Sequence, residues 1–221
     1  MKRALIIGAS RGIGLGLAGE LISRGWQVTA TARTDSSALA ALGAVVEGHD
    51  ITDQAQTAAL AARLAGQKFD LLFLNAGIMA GRGLPLADVA DADIERIFLT
   101  NAISPIRVAE ALSGVVAPGG MVSFMSSILG SIGTNDDGRA ELYRASKAAL
   151  NSLIRSFRAR HAAADITVLA LHPGVVRSGM GGPSAPLDIA TSVRGVADVI
   201  AARWGSGGLV FVDYRNQVIP W

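Results

Sequence analysis

A short apolar run, Ala4 to Ile7, breaks directly into GASRGIG, Gly8 to Gly14, and the segment that follows has helical periodicity. A strand that ends in a tight glycine turn and continues as a helix is the opening half of a β-α-β unit. Within the turn, Gly8, Gly12 and Gly14 permit close backbone approach, while Ser10, Arg11 and Ile13 fill the positions between them. Backbone N–H groups in such a turn can reach a pyrophosphate, whose charge the helix amino terminus favours. The same pattern also serves as a plain strand-to-helix turn, so alone it specifies a local shape and not a ligand.

The rest of the chain repeats the alternation. ALII, WQVTATA, GAVVEG, FDLLFLN, GMVSFMSS, ITVLALHPG and GLVFVD read as strands. Between them, GIGLGLAGELISR, DQAQTAALAARLAG, DIERIFLTNAISPIRVAEAL, ELYRASKAALNSLIRSFRARHA and DIATSVRGVADVIAARW carry apolar residues at helical spacing. Regular alternation of this kind predicts one parallel sheet with helices on both faces. With 221 residues, half of them hydrophobic and 17% charged, the chain is expected to bury its core as a single domain, 1–221. Right-handed crossovers place every strand's carboxyl end along one edge, where ligands of such folds bind. The most irregular stretches, GIMAGRGLPLADVADA, SILGSIGTNDDGRA and GVVRSGMGGPSAPL, follow the fourth, fifth and sixth strands and converge on that edge.

Composition narrows the function classes. The net charge is only +2 and the basic residues are scattered among acids, so no nucleic-acid footprint is indicated. Absence of cysteine rules out disulfides and thiolate metal sites. His49, His161 and His172 are far apart and share no ligand pattern, so packing or surface roles are expected and metal binding is not. The basic run Arg155 to His161 reads as a solvated helix face or a subunit contact. The apolar stretch in MKRALIIGAS is too short for a signal-peptide core or a bilayer span, which makes the cytoplasm the expected location and gives no membrane role.

Further candidates lie at later strand ends. Arg33, after the second strand, stands where NAD-preferring folds commonly place a carboxylate, and with Arg11 it offers two guanidiniums for the 2′-phosphate that only NADP carries. Asp35 nearby keeps NAD open. Asp50, followed by Ile51, can accept from an adenine amino group or cap the next helix. In NAG, Asn75 can hold the central strands together, and Ala76 and Gly77 form a small-residue turn with room for a cofactor.

The strongest chemical signal is ELYRASKAALNS, where Tyr143 precedes Lys147 by one helical turn. A phenol with an ordinary pKa of about 10 is a poor proton carrier at neutral pH, and a nearby ammonium would lower it. Ser126 or Ser127, at the end of the fifth strand, can hydrogen-bond a substrate oxygen, and Asn101 can position a water linking Lys147 to solvent. Taken singly, each has a structural reading: a helix face, strand-end turn formers, a residue at a helix kink.

GASRGIG, NAG, SS, YRASK and HPG, in this order and at these distances, resemble the short-chain dehydrogenase/reductase superfamily over essentially the whole chain. SSILGSIG, YRASKAALN, LHPGVVRSGMGGPSAP and the terminal IPW are similar to its C-factor and sniffer carbonyl-reductase branch. The resemblance implies a Rossmann-type doubly wound sheet and hydride transfer between a nicotinamide and a small carbonyl or alcohol, with NADP(H) preferred and NAD(H) possible. By motif, Tyr143 would donate the proton in reduction, Lys147 would bind the nicotinamide ribose and lower the tyrosine pKa, and Asn101 would anchor the relay water. Ser127, followed by ILG, would orient the substrate oxygen. Pro173, Gly174 and Val176 would line the nicotinamide, with Ser178 where the family often has Thr.

The chain departs from the family pattern in places. GTNDDGRA reads as a small insertion between the serine and the tyrosine, and the stretch Met180 to Leu187 is short where many relatives carry a helical lid, so an open pocket is expected. The resemblance implies that subunits of a homo-oligomer would pair through the helices at Ile103 to Val116 and Leu142 to His161, and the VIPW end can pack at an interface, with monomer, dimer and tetramer all left open by the sequence. The alternative implied by C-factor relatives is a nucleotide-binding signalling or regulatory protein with little turnover.

Overall fold

The computed structural model describes residues 1–221. Seven strands, β1 (Arg3–Ile7), β2 (Gln27–Ala32), β3 (Val45–Gly48), β4 (Phe69–Leu74), β5 (Val116–Met125), β6 (Ile166–His172) and β7 (Leu209–Asp213), form one sheet in the order β3-β2-β1-β4-β5-β6-β7. Every pairing is parallel, with Leu5 aligned to Thr29 on one side and to Leu72 on the other. The fold is the Rossmann-type doubly wound sheet anticipated from the alternation. The strand order reverses between β1 and β4, and the crevice outside their carboxyl ends is where a ligand of such a sheet sits.

Strand side chains alternate between two cores, as a sheet covered on both faces requires. Leu5, Ile7, Leu72 and Phe124 pack on one face with Leu60, Val108, Ile154 and Phe157. Ala4, Ile6, Leu71 and Phe73 pack on the other with Leu17, Leu21, Val196 and Ile200. These helical residues come from α1 (Gly12–Ser23), α3 (Gln54–Arg63), α5 (Ser104–Ala111), α6 (Glu141–Arg160) and α7 (Ile189–Ala202). No helix is long and apolar enough to cross a membrane.

Two local features differ from the sequence expectation. A five-residue helix, α2 (Ser37–Ala41), sits between β2 and β3. The stretch expected as one helix from Asp93 to Leu112 is α4 (Asp91–Phe98), a π-helical turn over Leu99–Ile103, and then α5. Pro105 explains part of the break, since it has no N–H to return to the carbonyl four residues back, that of Asn101. The VIPW end is used within the chain: Ile219 is buried and donates to the Phe211 carbonyl at 2.9 Å, and the Trp221 ring lies 5.3 Å from that of Phe211.

Candidate active site

The glycine turn is built by close contacts. Gly8 has φ +87 and donates its N–H to Thr31 Oγ1 at 2.9 Å, and a Cβ there would lie 2.7 Å from the Cβ of Ala76. A Cβ on buried Gly14 would collide with the Gly8 carbonyl and lie 2.6 Å from Asn75 Nδ2. Asn75 in turn donates that amide to the Gly8 carbonyl at 2.6 Å, tying the end of β4 to the end of β1 across the switch point. Ser10 and Arg11 are exposed, and α1 begins at Gly12 without any side-chain cap. A Cβ at Gly12, φ +59, would meet nothing within 4 Å. An uncapped helix amino terminus opening onto free space beside a glycine turn fits a diphosphate.

At the ends of β2 and β3 the Arg33 side chain is 64% exposed, and its only ion-pair partner is Asp50 at 3.8 Å. Asp50 accepts from the N–H and hydroxyl of Thr52 at 2.9 and 2.7 Å, and Ile51 beside it is buried. Asp35 accepts from the N–H and hydroxyl of Ser37 at 2.9 and 2.7 Å, so its carboxylate serves the start of α2. These contacts leave the Arg33 guanidinium exposed at the end of β2, and a cation there fits the extra phosphate of NADP better than the free hydroxyl of NAD.

Across the crevice, α6 presents Tyr143 and Lys147 on one face, Tyr143 partly and Lys147 almost fully buried. Burial pushes the Tyr143 phenol up to about 12, against a smaller opposing effect of the neighbouring Ser127 hydroxyl. Burial brings the Lys147 ammonium down to about 8. Lys147 Nζ donates to the Met125 carbonyl at 2.9 Å. Desolvation thus dominates both groups, and the expected lowering of the phenol by Lys147 is not among the effects acting on it.

Asn101 sits in the π turn, fully buried. Its Oδ1 accepts from the Ile78 N–H at 2.8 Å, and its Nδ2 donates to the Ile78 carbonyl at 2.9 Å and to Ser146 Oγ at 3.1 Å. Asn101 therefore pins the chain just after Gly77, where a Cβ would lie 3.4 Å from Asn101 Oδ1 and 3.7 Å from Lys147 Nζ. π turns recur at functional sites because the extra residue redirects side chains.

The two adjacent serines face different partners. Ser126 donates its hydroxyl to Asn151 Oδ1 at 2.6 Å, whereas Ser127 Oγ accepts from the Leu129 N–H at 3.1 Å and lies beside Tyr143. After β6, buried Pro173 accepts from the Ser192 hydroxyl at 2.7 Å, Gly174 has φ +83 against Leu187 and the Tyr214 ring, and Val176 is buried. Ser178 Oγ accepts from the Gly181 N–H at 3.3 Å. The short segment after it is tied down: Val176 bridges to Leu187, and Arg82, from the loop after β4, donates to the Met180 carbonyl.

The loop read as an insertion is anchored by Asp137, which accepts from Arg144 at 2.8 Å and from Arg139 and is held at about 2 chiefly by those bonds. The three histidines stay apart: His49 pairs with Thr57, His161 with Glu110, and His172 is buried at the end of β6. Sequence reasoning missed Ser146 and Asn151. Their position on the Tyr143 face of α6 was the available signal.

Residues 2–186 match the model of the short chain dehydrogenase family. Over 69% of this chain and 92% of the relative, the sequence is 39% identical to the C-signal of Myxococcus xanthus. The fold superposes with a TM-score of 0.96 on a Burkholderia multivorans structure described as a short-chain dehydrogenase/reductase with bound NADP, 44% identical over 100% of this chain and 99% of that one. A carbonyl reductase from Pseudomonas aeruginosa in complex with NADP gives 0.92 at 41% identity, with both chains covered in full. An uncapped glycine turn at a switch point, a tyrosine and a lysine one turn apart and a match of this extent lead to one assignment: the chain belongs to the short-chain dehydrogenase/reductase family, in its C-factor-like branch.

Proposed function

We propose that the protein is an NADP(H)-dependent oxidoreductase that interconverts a small carbonyl compound and its alcohol. The observation that carries this reading is the convergence of Tyr143, Lys147, Ser127 and Asn101 on one sheet edge beside the glycine turn. The Gly8–Gly14 turn with Arg11 would hold the diphosphate, Arg33 the 2′-phosphate, and Asp50 and Ile51 the adenine. Asn75, Ala76, Gly77, Pro173, Gly174, Val176 and Ser178 would line the nicotinamide half. NADP, bound in the related structures, supports the cofactor choice.

When bound, the nicotinamide supplies or takes up the hydride. In reduction, Ser127 orients the substrate oxygen and the Tyr143 hydroxyl gives that oxygen its proton, the phenolate being stabilised by the Lys147 ammonium. Lys147 would also hold the ribose, and Asn101 would anchor the water through which the proton is replaced. The same residues serve oxidation, so the cofactor pool of the cytoplasm, the proposed compartment, sets the direction.

The identity to C-signal favours a second reading, a nucleotide-binding regulatory protein with little turnover. Assay of the purified protein with NADPH and with NADH across aldehydes, ketones, quinones and diketones separates the two. Substrate-dependent NADPH consumption is expected. Tight cofactor binding with no turnover on any of these classes would favour the regulatory reading.

A further inference from the structure

Asn151 follows Lys147 by one turn on the face of α6 that carries Tyr143, and it is 4% exposed. Its Nδ2 donates to the Gly130 carbonyl at 3.1 Å and its Oδ1 accepts the Ser126 hydroxyl at 2.6 Å. The amide orientation follows from chemistry: a carbonyl can only accept, so the nitrogen faces Gly130 and the oxygen faces Ser126. Ser126 immediately precedes Ser127, and Gly130 lies three residues after it. One side chain on the tyrosine helix thus grips the serine segment on both flanks.

Apart from the neighbouring Tyr143 hydroxyl, the contacts of Ser127 itself are local, from the Leu129 N–H to its hydroxyl and from the Gly130 N–H to its carbonyl at 2.8 Å, and the Ser126 N–H is held by the Leu171 carbonyl at 2.8 Å. The grip depends on close approach, because a Cβ on Gly130 would lie 2.9 Å from the Lys147 carbonyl. Asn suits this place by type: a carboxylate lacks the donor for Gly130, and a hydroxyl is too short to span both partners. A buried amide with a partner at both its nitrogen and its oxygen favours one arrangement over its neighbours.

We propose that Asn151 is a positioning residue that fixes the Ser127 hydroxyl relative to Tyr143. This rests on the catalytic role given to Ser127 above. It predicts an effect on the chemical step that passes through Ser127 and leaves cofactor binding alone.

The test is a double-mutant cycle of Asn151→Ala and Ser127→Ala, with kcat, the NADPH Kd and the melting temperature measured for each form. Asn151→Ala alone is expected to lower kcat about tenfold, the scale of a misplaced catalytic group, with the NADPH Kd changed less than about twofold. In the Ser127→Ala background the same substitution should cost less than about twofold. Equal losses in both backgrounds would overturn the proposal, because Asn151 would then act on the helix or on Lys147. Full activity of Asn151→Ala beside a slow Ser127→Ala would overturn it alone, whereas a fully active Ser127→Ala would remove the catalytic reading of Ser127 as well. Should Asn151→Ala not fold, Ser126→Ala takes its place in the cycle. It removes one of the two bonds and should give a smaller kcat loss that again disappears without the Ser127 hydroxyl.

Discussion

Lys147 directs its ammonium to the main chain of β5 and not to the Tyr143 hydroxyl: Nζ is 2.9 Å from the Met125 carbonyl and 5.9 Å from the centroid of the Tyr143 ring. The phenol, held at about 12 by burial, is fully protonated at any working pH and is poised as an acid. Tyr143→Phe removes only that hydroxyl. We expect it to fold, to bind NADPH within about twofold of the parent and to lose about 10²- to 10⁴-fold in kcat/KM, the usual contribution of one general acid. Steady-state kinetics alongside a fluorescence titration of cofactor check this, and near-normal turnover would remove Tyr143 from the mechanism.

Burial of Lys147 has a consequence for stability. Its folded pKa of about 8 lies below the ordinary 10.5, so between those values the native state has released a proton that the unfolded chain still holds. Stability then rises with pH through that window, and the cost of burying the charge is fully present below pH 8. Lys147→Met keeps the length and removes the charge. Relative to wild type, its melting temperature should be more favourable near neutrality than at the alkaline end of the window. A difference that stays constant with pH would show that the ammonium is not penalised by burial.

Arg33 is the exposed cation at the β2 end, with only a long 3.8 Å contact to Asp50, so it is free to turn toward a phosphate. Arg33→Ala should raise the Kd for NADPH about 10- to 100-fold, the scale of hydrogen bonds to a charged group, and leave that for NADH within about twofold. Parallel titrations with the two cofactors measure this. Equal weakening of both would place Arg33 elsewhere than at the 2′-phosphate.

Much of the sheet was legible because a strand buried on both faces must be a short, nearly continuous apolar run, and FDLLFL or ITVLALH can hardly be anything else. The facing of Tyr143 and Lys147 was legible because it follows from helical period alone. What escaped depends on contacts remote in sequence. In FLTNAISPIR the apolar period runs on and Pro105 signals only a kink, so the π turn in which Asn101 reaches back to Ile78 cannot be read from the period. Ser126 and Ser127 are chemically alike, and Asn151, 25 residues beyond Ser126, distinguishes them by taking the first. α2, at five residues, is too short to show a period.

Two nearby glycines in the serine loop separate spacing at the catalytic residues from general loop packing. Neither Gly130 nor Gly133 has a positive φ, so an alanine costs only what its methyl meets. At Gly130 the methyl would meet the Lys147 carbonyl at 2.9 Å, helix backbone that cannot yield without lifting the loop from α6, and the Asn151 side-chain Nδ2 at 3.0 Å. At Gly133 the nearest atom is the Trp221 carbonyl oxygen at 3.7 Å, an ordinary contact. Gly130→Ala should therefore destabilise the protein by about 1–3 kcal/mol, as overpacking does, and lower kcat with little change in NADPH affinity. Gly133→Ala should leave both close to wild type. Thermal melts and kinetics of the pair decide the matter, and similar behaviour of the two would mean that the distance between the serine loop and α6 does not govern turnover.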